Sequence, residues 1–117
     1  KRAQLAAFEA AGIGVGCEES DSAARASLVE SGFGPDYELP GLPHRTGHGC
    51  GLDIHEGPNL VRGEGTEMAT GMVFSNEPML VIPDKFGVRL EDHFYLTDAG
   101  PQWFTQPSES IDDPFAC

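Results

Sequence analysis

The chain has 117 residues, of which 39% are hydrophobic and 22% charged, a length and composition typical of one globular domain. Nineteen acidic residues against seven Lys and Arg give a formal net charge of −12, which repels nucleic-acid phosphates and anionic lipid surfaces. The longest aliphatic run, residues 79–82, is far below the roughly 18 apolar residues that cross a bilayer. We therefore expect no nucleic-acid partner and no membrane association. Three cysteines without C-x-x-C spacing favour reduced thiols and a cytoplasmic location.

Two helices are predicted in the first third of the chain. Residues 1–11 are strong helix formers that precede a glycine, and residues 17–31 form a second helical segment that also ends at a glycine. Ala24 and Leu28 belong to the inward stripe of the second helix. The acidic residues near its start are interpreted as a solvated first turn stabilised by the helix dipole. These residues are Glu18, Glu19 and Asp21.

Glycine and proline are frequent between residues 32 and 65, which predicts short strands and loops. Two β-rich runs follow, at residues 72–82 and 88–97, and a turn at residues 83–87 joins them. We interpret these runs as one antiparallel hairpin. Alternation in the second run puts Val88, Leu90, Phe94 and Leu96 on one face. An irregular tail is predicted after Gly100, partly anchored by Trp103 and Phe104.

The densest group of chemically active side chains lies in the Gly-rich segment 44–58, which contains three of the four histidines. His44 and His48 are four residues apart, as in a helical zinc motif, but the glycines around them make a helix improbable. In an extended segment these two histidines share a face because their separation is even. His55 needs a bend to return toward them, and Gly51 could supply it.

The predicted hairpin also brings two carboxylates together. Glu77 precedes a proline, which implies a strand edge or a bulge. A turn at residues 84–86 places Glu77 across from Glu91 or His93, because opposed positions in an antiparallel pair keep a constant sum. Facing carboxylates are unfavourable unless one is protonated or a cation lies between them. With one imidazole they suit divalent Mn, Co, Fe or Zn, so a metal centre is the leading hypothesis.

Three segments resemble the pita-bread metallopeptidases, which include methionine aminopeptidase, Xaa-Pro aminopeptidase and prolidase, with creatinase as a metal-free relative. Residues 44–58 resemble the H-x-x-G-H-G-x-G…H-E-x-P segment, residues 71–78 the G-M-V-F-x-x-E-P strand, and residues 87–92 the G-x-R-x-E-D strand. Their order and spacing agree with the family. The Arg-x-Glu-Asp strand and the long turn at 83–87 are more similar to the Xaa-Pro branch than to methionine aminopeptidase.

The resemblance covers roughly residues 1–104 and implies an α+β fold, the C-terminal half of a pita-bread domain with two helices packed on a curved antiparallel sheet. Residues 105–117 are expected to be an irregular tail. The family's site also needs two aspartates from upstream strands, whereas Asp21 lies in a predicted helix and Asp36 in a loop. We therefore expect the chain alone to be inactive.

Site roles follow from the resemblance. The implied metal ligands are His48, Glu77 and Glu91. Of these, Glu91 would bridge two ions, and Glu77 would also lie near the attacking water. His44 and His55 would hold the scissile carbonyl and assist proton transfer, and Arg89 would orient the ligands. Purely structural roles remain open. His44 and His55 can be loop residues that hydrogen-bond to backbone carbonyls, and Arg89 can simply form an ion pair with Glu91 or Glu77.

The implied activity is that of a metal-dependent exopeptidase, which hydrolyses the bond before proline in Xaa-Pro peptides through a metal-bound water. Manganese is the expected cofactor, with two ions in the complete domain, and cobalt, zinc or iron are possible. The expected partner is a peptide with proline at its second position, and the complete protein is expected to be a homodimer. Two alternatives are a non-catalytic pita-bread module that binds peptides or proteins, and a creatinase-like amidinohydrolase without metal.

Overall fold

The computed structural model describes residues 1–115, so the thiol of Cys117 lies outside the described residues. Helix α1 spans Arg2–Ala10 and helix α2 spans Cys17–Glu30, which confirms both predicted helices. Small side chains let the two helices approach closely, because Ala3, Ala7 and Ala24 are buried together with Leu28 packed against them. Within the described range, no helix is both long and apolar enough to cross a membrane.

The interpretation of Asp21 as part of a solvated helix start is wrong. Asp21 is only 1% exposed, and it is paired with Arg25 one turn along α2. Its place on the helix decides its burial, since Asp21 lies on the same face as the buried Cys17 and Ala24. Glu19 is exposed, as predicted.

Seven strands follow the helices in the described residues, and all their pairings are antiparallel. They are β1 Gly47–Gly49, β2 Glu56–Leu60, β3 Val73–Asn76, β4 Met79–Ile82, β5 Phe86–Arg89, β6 Asp92–Thr97 and β7 Gly100–Trp103. Five of them form one sheet in the order β2-β1-β3-β6-β7, and β4 pairs with β5 separately. The tail prediction was wrong for β7, whose Pro101 is tolerated because β7 is an edge strand.

The predicted hairpin is present, but it is interrupted. Strand β3 pairs with β6, with Asn76 opposite Asp92, and β4 pairs with β5, with Met79 opposite Arg89. The residue numbers of every pair in both ladders add to the same total, so a single register runs through both. Glu77 therefore falls opposite Glu91 at the interruption. Pro78 accounts for the break, because it has no N–H to donate to a ladder.

The main core lies between the two helices and the five-stranded sheet. It comprises Ala11, Cys17, Leu60, Met68, Phe74, Phe94 and Leu96. Phe8 of α1 stacks on Trp103 with ring centroids 4.0 Å apart and meets Phe94 edge to face. Val88, predicted to share a face with Phe94, is 49% exposed, because beyond the break it belongs to the separate β4-β5 ladder.

Candidate metal centre

Three side chains converge where the hairpin is interrupted. His48 is the middle residue of β1, Glu77 directly follows β3, and Glu91 directly precedes β6. One ligand atom from each residue lies within 4.8 Å of the other two. His48 is 3% exposed and Glu77 is 7% exposed, whereas Glu91 is exposed. The cluster is therefore buried at His48 and Glu77 and open to solvent at Glu91.

The glycines beside His48 allow β1 to fit between its neighbours. A Cβ on Gly47 would collide with the Ser75 carbonyl of β3, and a Cβ on Gly49 would lie 2.6 Å from the Glu56 carbonyl of β2. Both positions need glycine because the neighbouring backbones approach so closely. The glycines on either side of His48 are therefore required for β1 to pair with β2 and β3.

The orientation of the His48 ring leaves one nitrogen available to a ligand. Nδ1 lies 2.8 Å from the Gly49 carbonyl oxygen, and the tautomer that donates to this carbonyl leaves the Nε2 lone pair for a ligand. Nε2 lies 3.1 Å from Oε1 of Glu77. In a neutral ring, the Nε2 lone pair and the carboxylate oxygen would repel each other. A metal ion bound by both atoms would remove this repulsion.

Glu77 is held by its neighbours on several sides. Its Oε1 accepts a hydrogen bond of 3.0 Å from the Ser75 hydroxyl, which in turn accepts one of 3.0 Å from the His48 backbone N–H. Its own N–H donates to the Thr46 carbonyl at 2.8 Å. Arg89 approaches from β5, with Nη1 3.5 Å from Oε2 of Glu77. The Arg89 side chain therefore lies where it can partly balance the charge of Glu77.

The structure brings His55 to the cluster but not His44. The chain bends after β1, with the Gly51 N–H donating to the Asp53 carbonyl, and the His55 ring lies 4.4 Å from that of His48 between centroids. His44 is exposed, and β1 begins only at Gly47 after bends in the chain. The expected shared face of His44 and His48 is therefore not found, because the alternation rule applies only within a continuous strand.

Cys50 lies beside the cluster, but its thiol is not suited to nucleophilic chemistry. Burial raises the pKa of the Cys50 thiol, and the charges of Glu91, Glu56 and Glu77 raise it further. Its Sγ lies 3.6 Å from Nδ1 of His48, yet a thiol that resists ionisation is a poor nucleophile. Cys17 and Cys50 are both free thiols.

Sequence reasoning missed the residues that hold the cluster in place. Thr46 and Ser75 support Glu77, and Gln4 of α1 is 1% exposed beside the hairpin break. The Gln4 side-chain amide donates to Oδ2 of Asp92 at 2.8 Å. The sequence signal that could have found Gln4 is its place on the inward face of a predicted helix. A buried polar side chain needs a hydrogen-bond partner.

The aspartates before His44 do not join the cluster. Asp21 is bonded to Arg25 and Thr46 inside the protein, and Asp36 pairs with Arg62 on the surface. The described residues that form this cluster therefore offer one imidazole and two carboxylates.

Two helices packed on an antiparallel sheet place the chain in the α+β class, and the imidazole and two carboxylates at the strand break form a candidate metal site. The chain matches the model of metallopeptidase family M24 over residues 1–98, and it belongs to this family. The predicted α+β pita-bread fold class is confirmed by its similarity to solved members of the family.

Named relatives agree with this assignment. The chain is 45% identical over 100 residues to "Probable dipeptidase PepE" of Mycobacterium tuberculosis, covering 86% of this chain and 25% of the relative. It is 40% identical over 111 residues to "Xaa-Pro dipeptidase" of Lactobacillus helveticus, covering 95% of this chain and 29% of the relative.

Solved structures give the same result. Dipeptidase PepE from Mycobacterium ulcerans superposes with a TM-score of 0.83 and 37% identity, over 94% of this chain and 28% of that one. Prolidase from Pyrococcus furiosus gives a TM-score of 0.80 and 39% identity, over 92% and 30% of the two chains. The chain thus spans between a quarter and a third of the length of these relatives.

Proposed function

We propose that this chain supplies part of the active site of a metal-dependent exopeptidase that hydrolyses the bond before proline in Xaa-Pro peptides. The observation that carries the proposal is the convergence of His48, Glu77 and Glu91, with ligand atoms within 4.8 Å of one another. Membership of family M24 supports the metallopeptidase class. Relatives named Xaa-Pro dipeptidase and prolidase support the substrate class.

The donor set fits a divalent metal ion. Two carboxylates and the Nε2 lone pair of His48 would repel one another without a cation among them, and this mixture of oxygen and nitrogen suits manganese, with cobalt, zinc or iron as alternatives. When bound, such an ion lowers the pKa of a coordinated water and polarises a carbonyl. We propose two ions in the complete site, with Glu91 as the shared ligand.

The chain's own residues would divide the remaining work. Glu77 is fixed by Ser75 and Thr46, so its carboxylate can accept a proton at a defined position beside the attacking water. His55 lies exposed next to His48, where it can donate a hydrogen bond to a substrate carbonyl. We propose that His44 also binds the substrate carbonyl. Arg89 would restrain the Glu77 carboxylate through their ion pair.

The proposal separates the chain from the complete enzyme. Three ligands would hold one ion weakly and could not hold two ions together. The chain alone would therefore hydrolyse no peptide. The complete enzyme would act on peptides with proline at the second position, as a cytoplasmic homodimer. The two further ligands would be aspartates other than Asp21 and Asp36, which are engaged elsewhere.

Titration calorimetry with manganese chloride tests the metal site. The wild-type chain should bind Mn²⁺ weakly. Glu91→Gln and Glu77→Gln should each weaken binding by at least about 10-fold, since even outer partners of metal ligands are worth that much. Glu9→Gln, an exposed change on α1, is the matched control and should bind like wild type. Unchanged affinity in Glu91→Gln would remove the metal-site assignment.

Activity assays decide between the alternatives. The chain should not cleave an Xaa-Pro dipeptide in the presence of Mn²⁺, and substantial turnover would contradict the need for further ligands. Hydrolysis of a guanidino substrate in the presence of a chelator would favour the creatinase-like alternative. Peptide binding that is insensitive to Glu77→Gln and Glu91→Gln would favour a non-catalytic module.

A further inference from the structure

A buried ion pair in α2 has partners that lead to the metal centre. Asp21 is 1% exposed and Arg25 is 6% exposed, and the Arg25 Nε lies 2.8 Å from Oδ2 of Asp21. Removing two charges from water is costly unless their remaining donors and acceptors are also satisfied. The groups that satisfy this pair therefore show what the pair holds in place.

Arg25 organises the segment that leads from α2 to β1. Its guanidinium donates to the carbonyls of Asp36 at 2.7 Å, Leu42 at 2.6 Å and His44 at 2.6 Å. The guanidinium also lies over the Tyr37 ring, 4.0 Å from its centroid. Because the guanidinium is planar and its donors point in fixed directions, these contacts define the path of the segment.

Asp21 fixes the residue at which this segment meets the site. Its Oδ1 accepts hydrogen bonds from the Thr46 hydroxyl at 2.7 Å and from the Thr46 N–H at 3.2 Å. Thr46 is fully buried, and its carbonyl accepts the N–H of Glu77 at 2.8 Å. A continuous chain of hydrogen bonds thus links α2 to the backbone of Glu77.

We propose that Asp21 and Arg25 are positioning residues of the metal centre and that they act through Thr46. They set the backbone of Glu77 and the approach of β1, on which His48 lies two residues after Thr46. The link to metal rests on the proposed function, whereas the hydrogen-bond chain is independent of it. An ion pair that contributes only to global stability would raise the exchange of the most protected sheet amides together, through global unfolding.

Amide hydrogen exchange distinguishes positioning from general stability without any metal. Thr46→Val keeps the shape of the side chain and removes the hydroxyl, and Asp21→Asn removes the charge. In both variants we expect the Glu77 amide to exchange at least about 10-fold faster relative to the Leu96 amide, which donates to Met72 in the same sheet. Thr46→Ser keeps the hydroxyl and should restore the wild-type ratio. Glu19→Gln is the matched exposed control on α2.

Cobalt binding, followed by the visible absorption of Co²⁺, provides the second readout. Thr46→Val should weaken binding by about 10-fold and alter the spectrum, as is typical of an outer partner of a metal ligand, and Thr46→Ser should not. Equal acceleration of the Glu77 and Leu96 amides would overturn the inference, as would unchanged cobalt affinity in Thr46→Val. If the wild-type chain binds no cobalt, the proposed metal site fails, and the exchange ratio alone decides whether the residues position Glu77.

Discussion

Cys17 begins α2 with its side chain fully buried in the main core. Burial raises the pKa of its thiol from 9.0 to about 11, and the charge of Glu64 adds to the increase. The unfolded chain ionises this thiol near its ordinary pKa, whereas the folded chain keeps the proton. Between pH 9 and 11 the folded state therefore binds more protons, so the free energy of unfolding falls as pH rises.

The variant Cys17→Ala should remove this part of the pH dependence. We expect it to be about 1 kcal/mol less stable than wild type below pH 9, because a core side chain is truncated. Its stability should then fall less steeply than that of wild type toward pH 11. Urea denaturation across this range measures both quantities. Parallel stability curves for the two proteins would show that Cys17 does not ionise differently in the unfolded chain.

At the scale of elements, α1 contacts the two paired strands, β3 and β6, where they end at the hairpin break. Gln4 donates from its side-chain amide to Asp92 of β6, and its backbone carbonyl accepts a hydrogen bond of 2.8 Å from the side chain of Asn76 at the end of β3. Asn76 and Asp92 are paired directly beside Glu77 and Glu91. The helix therefore supports the strand ends from which the two carboxylates project.

Replacing Gln4 with leucine should lower the free energy of unfolding by about 1–3 kcal/mol, because Asp92 would lose a partly buried hydrogen-bond donor. Gln102→Leu, at an exposed position of β7, is the matched control, and surface changes of this kind usually stay within about 0.5 kcal/mol. Urea denaturation of both variants gives the comparison. A Gln4→Leu variant as stable as the control would mean that Asp92 finds another partner at no cost.

The same elements show what the sequence could predict. The turn at residues 83–87 predicted a hairpin with Glu77 opposite Glu91 or His93, and the observed register selects Glu91. Pro78 predicted a strand edge or a bulge, but not the division of the hairpin into two ladders. Burial of Asp21 could not be predicted from its charge, because its partner Thr46 is distant in sequence and only the folded chain brings them together.

At the scale of the whole molecule, several large apolar side chains remain exposed, and two pairs of them lie close together in the sequence. Leu52 and Ile54 are 104% and 78% exposed on the loop between β1 and β2, and Phe86 and Val88 are 59% and 49% exposed on β5. In the described residues, β2 and β7 are the edges of the larger sheet. Exposed apolar groups and open strand edges both favour contact with another chain.

The chain should therefore self-associate despite its net charge of −12, and the association should increase with salt, because screening weakens the repulsion between like-charged chains. Light scattering over a range of concentrations, at low and high ionic strength, measures the effect. Phe86→Lys should reduce association by placing a charge on β5. A chain that stays monomeric at every concentration and salt level would contradict this expectation.

The unbroken register of the hairpin also constrains which changes in length the gene can tolerate. In a hairpin, a shift of one residue in pairing moves every later side chain to the opposite face. The turn between β4 and β5 therefore governs whether Glu91 meets Glu77, although it contacts neither of them. Substitutions there that suit the positive φ of Asp84 should be accepted, whereas the insertion or deletion of a single codon would separate the two carboxylates.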